Sequence, residues 1–257
     1  MAITPDNIDV AEASKRGIAV TVIPPIVAEA TADIHFGLML AVARRMIEGD
    51  RMVRAGKFPG SQSNHLAGHF VYGKTIGIVG AGRIGQATAR RARGFGMKVL
   101  YCGRNRKPEA ERELGMEYVT LDRLLAESDF VSLHPAMTAE TRHMISDKEF
   151  AKMKPTAFIT NTSRGPVIDE KALVRALKSK KIAGAGLDVF EHEPKLPAAL
   201  RAMKNVVLTP HLGSAVMELR EAMANIVVDN IQALLDGRAP PNCVNPQILP
   251  QVLSGKS

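Results

Sequence analysis

From Lys74 onward, short β-branched apolar runs alternate with segments whose apolar residues recur at helical spacing. The runs at 76–79, 98–101, 130–133, 157–160, 183–187 and 206–208 are continuously apolar or small, the pattern of strands buried on both faces. Between them, 84–94, 109–114, 121–126 and 170–179 predict helices, the last with Asp169 as its N-cap. Strand–helix alternation of this kind predicts a doubly wound parallel α/β sheet. Upstream, 28–54 predicts one long amphipathic helix; downstream, 214–235 predicts another, ended by Gly237 and Pro240-Pro241. The Gly-, Ser- and His-rich stretch 56–73 predicts a loop or arm. At the N-terminus a short helix, 11–16, precedes a strand at 18–23 that has no partner strands before it. A lone strand cannot form a sheet, so this edge is expected to join something outside the chain, or the chain to be a shortened form of a larger protein.

Composition narrows the class. The 257 residues are 46% hydrophobic and 23% charged, enough apolar material for a packed core of one large domain or somewhat more. The most apolar stretch, 34–43, is too short to cross a bilayer and carries His35. No basic flank leads into an apolar core at the start, and Cys102 and Cys243 are too few for a disulfide framework. The expectation is a pair of reduced thiols in a cytoplasmic protein. A net charge of +8 invites a nucleic-acid reading, but the cations are scattered along amphipathic helices. With three Tyr, eight Phe and no Trp there is little material for base stacking, and the reading is set aside.

The first chemical signal is Gly80-Ala81-Gly82-Arg83-Ile84-Gly85, directly after the run Thr75-Ile76-Gly77-Ile78-Val79. A Gly-x-Gly-x-x-Gly turn means little alone. Between a strand and a helix it is the turn on which a dinucleotide pyrophosphate sits, against the helix N-terminus. The end of the second strand separates the two nicotinamide cofactors. An acid there would bind the ribose 2′-hydroxyl of NAD. Here stand Gly103-Arg104-Asn105-Arg106-Lys107, with three cations and no acid, so NADP(H) is expected, with NAD(H) as the alternative.

Three further residues suit chemistry on an acid substrate. Arg164, in Asn161-Thr162-Ser163-Arg164-Gly165, stands at the carboxyl end of a predicted strand and is a fixed cation for a carboxylate. His211, in Thr209-Pro210-His211-Leu212-Gly213-Ser214, is a candidate proton donor to a developing alkoxide. Glu193, in Phe190-Glu191-His192-Glu193-Pro194, could orient the ring. Each alone reads more simply as an ion-pair or turn residue; together they point to hydride transfer to a 2-oxo acid.

On these motifs the chain resembles the D-isomer-specific 2-hydroxyacid dehydrogenases, and within them the glyoxylate/hydroxypyruvate reductases with their 2-ketogluconate-reducing relatives. The resemblance runs nearly end to end, from Asn7-Ile8-Asp9-Val10 to Asn242-Cys243-Val244-Asn245-Pro246. The resemblance implies that Arg164 binds substrate, that Glu193 hydrogen-bonds the catalytic His211, and that Asp188 holds the nicotinamide carboxamide. It further implies a cofactor site of Gly80, Gly82, Arg83, Ile84, Gly85, Gly103, Arg104, Asn105, Arg106, His134, Thr162, Asp188, His211, Gly213 and Ser214. Glu191 and His192 are decoys at the wrong positions. No metal is expected.

The implied architecture is a Rossmann nucleotide-binding domain over 25–216, with a remnant of a flavodoxin-like substrate domain at 1–24. A C-terminal helix and tail, 217–257, would return to that domain. Relatives begin with further strand–helix units, including a loop whose N–H groups hold the substrate carboxylate. The expectation is therefore weakly held ends and slow turnover, the alternative being a catalytically impaired NAD(P)-binding protein. A second departure is His134-Pro135-Ala136-Met137-Thr138, where relatives place proline after one intervening residue. A homodimer through the nucleotide domain is also implied, using the apolar face of the helix from Ala28 (Ile34, Leu38, Met39, Val42) and the arm at 56–73.

Overall fold

The computed structural model of the protein describes residues 4–5 and 7–254. In chain order the helices and strands are α1 (Val10–Lys15), α2 (Ala28–Ala43), α3 (Met46–Arg54), β1 (Thr75–Val79), α4 (Arg83–Gly94), β2 (Lys98–Cys102), α5 (Pro108–Leu114), β3 (Met116–Tyr118) and α6 (Leu121–Glu127). They continue as β4 (Phe130–Leu133), α7 (Asp147–Lys152), β5 (Phe158–Asn161), α8 (Glu170–Lys178), β6 (Gly184–Leu187), α9 (Ala198–Ala202), β7 (Val206–Leu208), α10 (Met217–Leu235) and α11 (Leu249–Leu253). They pack as two units, Ala28–Gly213 and the two ends of the chain.

In the larger unit, seven strands form one parallel sheet in the order β3-β2-β1-β4-β5-β6-β7. The chain winds outward from β1 to β3, then returns to lay β4 on the other side of β1. Gly77 accordingly faces Leu100 on one side and Val131 on the other. That reversal opens a crevice at the carboxyl ends of β1 and β4, where open α/β sheets bind ligands. Successive residues of a strand point to opposite faces. Ile76, Ile78, Phe130 and Phe158 join one apolar cluster, while Val79, Val131, Leu133 and Ile159 join another. Every residue of β4, β5 and β6 is buried, which is why those runs are continuously apolar or small.

The doubly wound sheet agrees with the expectation, with one added edge strand. β3 has only three residues, Met-Glu-Tyr, and so carries no apolar run to read. Asp169 caps α8 by accepting from the N–H groups of Lys171 and Ala172. The single helix expected over 28–54 is in fact two. The carbonyl of Ala43 accepts the N–H of His69 at 2.9 Å, and Arg45 turns left-handed at φ 53°. A partner from the arm, distant in sequence, thus ends α2. Its apolar face is also accounted for internally. Leu38, Met39 and Val42 are buried, Leu38 against Gly186 and Val42 against Gly184 of β6. That face therefore gives no reason for dimerisation.

The ends form a unit of their own, and two expectations about them need correction. The segment 18–23 is not a strand; among the described residues its one ladder contact is the antiparallel bridge Thr21–Cys243. Nor do the ends lack packing. The N–H of Val22 donates to the Asn242 carbonyl (3.0 Å) and that of Val244 to the Val20 carbonyl (2.9 Å). Asn245, 1% exposed, accepts the Val20 N–H and donates to Ser14 Oγ and the Ile18 carbonyl. Ile23, Val27 and Met223 add a small apolar cluster.

Candidate active site

The glycine turn closes β1 and opens α4. Gly80 sits at φ 91°, a conformation that strains any residue with a Cβ. A Cβ there would also lie 2.9 Å from the backbone of His134 and Pro135, at the end of β4. Gly82 is the N-cap of α4, and a Cβ on it would meet nothing within 4 Å. Gly85 faces the opposite constraint, its Cβ position lying 2.4 Å from the Gly80 carbonyl oxygen. The turn is therefore packed underneath and open above. The first N–H groups of α4, from Arg83 to Gly85, lie ahead of the first intrahelical bond from Gln86 to Gly82. Such amides at a helix N-terminus favour a phosphate group, so a dinucleotide pyrophosphate fits this cradle.

At the end of β2, Gly103, Arg104, Asn105 and Arg106 are exposed. Arg106 is committed to Glu111 of α5 through paired bonds of 2.8 and 2.9 Å. Glu111 also accepts from Tyr101 Oη at 2.6 Å, and these two partners hold its carboxyl below the usual range. Arg104 forms no ion pair among the described residues. Of the two arginines expected at the cofactor site, the structure thus leaves Arg104 exposed and unpaired with any acid among the described residues and ties Arg106 to Glu111. The acid that does so lies in the next helix, outside the strand-end motif.

Arg164 follows β5. Asn161, 1% exposed, shapes its loop by accepting from both the N–H and Oγ of Ser163 and donating to the Arg164 carbonyl. The guanidinium donates to the Ser163 carbonyl at 2.7 Å. Gly165 lies so close to Phe190 that a Cβ would stand 1.9 Å from its carbonyl carbon and oxygen. This contact presses the Arg164 loop against the loop that carries Glu193.

His211 and Glu193 are brought together as expected: His211 Nδ1 is 3.0 Å from Glu193 Oε2. The other oxygen, Oε1, accepts the Phe190 N–H, so both carboxylate oxygens are fixed. The His211 backbone is left-handed at φ 57°. Asp188, 1% exposed after β6, organises this loop from below. Its Oδ1 accepts from Thr209 Oγ1 (2.5 Å) and the Leu212 N–H (2.7 Å), and its Oδ2 from the Gly213 N–H (2.9 Å). Its own carbonyl accepts the His211 N–H. His134 and Thr162 lie at the ends of β4 and β5, joined through a buried side-chain network. Ser214 belongs to the other unit.

A family profile for the NAD binding domain of D-isomer specific 2-hydroxyacid dehydrogenases matches residues 36–213. This chain belongs to that family. It is 55% identical to a glyoxylate reductase of Thermococcus litoralis over 248 residues, 95% of this chain and 75% of that protein. The crystal structure of a glyoxylate reductase from Paecilomyes thermophila superposes with a TM-score of 0.85 at 43% identity, over 96% of this chain and 74% of that one. An NADPH-dependent glyoxylate/hydroxypyruvate reductase from Sinorhizobium meliloti, crystallised with NADP and malonate, gives a TM-score of 0.86 at 35% identity. That match covers 95% of this chain and 76% of the other. The protein is therefore an enzyme of the D-2-hydroxyacid dehydrogenase family, with a nicotinamide-dinucleotide domain.

Several residues that shape the dehydrogenase site escaped the sequence pattern. Glu191 makes no bond to His211 among the described residues but pairs with His143 Nε2 at 2.7 Å. Glu170, buried at the start of α8, accepts the Glu191 N–H at 2.7 Å, while Glu191 Oε2 accepts the Glu170 N–H at 3.3 Å. Burial pushes the Glu170 carboxyl up. This reciprocal clamp sets the loop that bears Glu193. Asn161 could have been noticed as a polar residue ending an apolar run; Glu170 reads only as an ordinary first-turn acid. Among the described residues no group of His, Cys, Asp or Glu is arranged to hold a metal ion, and no helix is long and apolar enough to cross a membrane.

Proposed function

We propose that this dehydrogenase reduces a small 2-oxo acid (glyoxylate, hydroxypyruvate or 2-ketogluconate) to the D-2-hydroxy acid with NADPH. The observation that carries the reading is the Glu193–His211 pair. With Nδ1 held at 3.0 Å by a carboxylate that is itself fixed, the ring has one orientation, and Nε2 has no partner among the described residues. An imidazole so placed can give a proton to an alkoxide oxygen and take it back in the reverse direction. Arg164, beside it in the fold through the Gly165–Phe190 contact, supplies the cation for the substrate carboxylate.

A nicotinamide dinucleotide, when bound, supplies the hydride. The chain's own part is to hold its phosphates on the N–H groups after Gly82, its adenosine end beside Gly103 and Arg104, and its nicotinamide end near the strand ends that carry His134, Thr162 and Asp188. The exposure of Arg104 and the missing acid after β2 support NADPH over NADH. The names borne by the relatives support a 2-oxo acid of two to a few carbons. A cytoplasmic homodimer belongs to the same reading. Its support is now the arm, where Phe58, Phe70 and Tyr72 are 62%, 77% and 71% exposed, rather than α2.

The test is steady-state reduction of the three 2-oxo acids with NADPH and with NADH. Turnover with at least one acid, and a higher kcat/KM with NADPH, is expected. Tight NADPH binding with no turnover of any of the three would refute the proposed activity. A stable monomer by light scattering at micromolar concentration would remove the dimer.

A further inference from the structure

Beneath the crevice between β1 and β4 lies a polar cluster that neither the dyad nor the glycine turn uses. His35 of α2 is fully buried. Its Nδ1 is 3.0 Å from Thr162 Oγ1 and its Nε2 is 2.6 Å from Ser132 Oγ. The same Ser132 hydroxyl, on β4, is 2.8 Å from Nε2 of His134. The two rings stand 4.4 Å apart between centroids. At the far end, His134 Nδ1 is buried and has no hydrogen-bond partner among the described residues. The chain of contacts thus runs from Thr162, two residues before Arg164, to His134, whose backbone packs on Gly80.

The hydrogen count restricts this cluster severely. Burial holds both imidazoles neutral: it pushes His134 down to about 3 and, with His134 beside it, His35 well below its ordinary value. A neutral imidazole has one donor and one acceptor nitrogen, and a serine hydroxyl has one proton. Two Nε2 atoms meet that one hydroxyl. If both were bare, one would lack a donor; if both carried protons, the Ser132 proton would be stranded. Only two arrangements satisfy every contact. In the first, His35 donates from Nε2, Ser132 donates to His134, and Thr162 spends its proton on His35 Nδ1. In the second, Ser132 donates to His35, His134 donates from Nε2, and His35 donates to Thr162, whose own proton is then available. The two ends of the chain always have opposite character. When Thr162 can donate outward, His134 Nδ1 is an acceptor; when Thr162 cannot, His134 Nδ1 is a donor.

We propose that His35, Ser132, His134 and Thr162 form a hydrogen-bonded relay whose imidazoles hold opposite tautomers, and that this relay positions the nicotinamide end of the bound dinucleotide. The second part rests on the dinucleotide reading above. A carboxamide offers both a donor and an acceptor, the chemistry that selects one of two complementary arrangements. These four are positioning residues: they act by setting which hydrogen-bonding groups line the crevice floor, and they transfer no proton to substrate.

The experiment is nitrogen-15 NMR of the histidine rings in the full chain, with and without NADPH, together with NADPH affinity of Ser132→Ala and Ser132→Thr. One of His35 and His134 should be protonated at Nδ1 and the other at Nε2, with neither titrating between about pH 5 and 8. NADPH should shift the resonances of both rings together. Ser132→Ala should uncouple the rings and weaken NADPH roughly two- to tenfold, the worth of one or two hydrogen bonds, while Ser132→Thr, which keeps the hydroxyl, should restore both. The same tautomer in both rings, titration of either in that window, or wild-type NADPH affinity in a folded Ser132→Ala protein would overturn the proposal. Should the parent chain bind no dinucleotide, the function reading fails and the positioning role with it. The tautomer pattern still decides whether the relay exists.

Discussion

Asp188→Asn is the substitution that best separates what holds the active-site loop from what touches a cofactor. The carboxylate is 1% exposed and accepts three hydrogen bonds, from Thr209 Oγ1, the Leu212 N–H and the Gly213 N–H. An amide keeps one oxygen, which can retain the pair at Oδ1, but its NH2 group then faces the Gly213 N–H at 2.9 Å, donor against donor. Turning the amide over instead sets its NH2 against the Leu212 N–H while the Thr209 hydroxyl can accept from it, so one backbone donor is abandoned either way. Losing one bond to a charged group costs about 1.5–3 kcal/mol, and a buried unsatisfied donor adds to that, so about 2–4 kcal/mol in total is expected. In a protein of this size that lowers Tm by roughly 5–15 °C. Thr209→Val, which removes one donor and leaves the carboxylate its two backbone partners, should cost about 1–2 kcal/mol. The assay is thermal unfolding by circular dichroism, alongside NADPH affinity. A variant that unfolds within about 2 °C of the parent yet binds NADPH far more weakly would refute the loop-holding role and favour direct contact with the nicotinamide.

Other outcomes follow from the same geometry. His211→Gln should lower kcat by about 10²–10⁴-fold, the usual worth of a general acid, with a far smaller change in NADPH affinity in a direct titration. Arg104→Ala should weaken NADPH at least about tenfold and leave NADH nearly untouched, since one charge-assisted contact is worth about 1.5–3 kcal/mol; equal losses for both cofactors would count against a 2′-phosphate contact. Burial pushes the Cys102 thiol up to about 12, so mass spectrometry of the native protein treated with iodoacetamide at neutral pH should find it unmodified. Asp129 is half-buried, and burial alone would raise its carboxyl. The N–H of Thr75 (3.0 Å) and Lys154 Nζ (2.9 Å) outweigh that and hold it below the ordinary range. Because the folded form has the lower pKa, its stabilisation is present at neutral pH and fades as pH falls through and below about 4. Denaturant unfolding of Asp129→Asn should therefore show a deficit at pH 7 that largely closes at low pH.

The alternation of apolar runs and helical segments was by itself enough to determine the doubly wound sheet. Strands covered on both faces are mostly apolar or small, with polar residues only where a partner meets them, and crossover helices must bury one side; both demands write local patterns. The glycine turn was equally legible, because its three glycines and the strand before it are contiguous in sequence, although the backbone that crowds Gly80 comes from the end of β4. The pairing of His211 with Glu193 was readable only through family spacing, since nothing local links positions in different loops. What tertiary structure alone decided shares one cause, a partner distant along the chain. The N–H of His69 ends α2 at Ala43, Gly165 packs against Phe190, and Asn245 holds the two ends together. Ser132 joins two histidines almost a hundred residues apart in sequence. A hydroxyl, an imidazole or a carboxylate looks the same in sequence whether it meets water, a ligand or another side chain. Only the packing of the sheet determines which of these partners it meets.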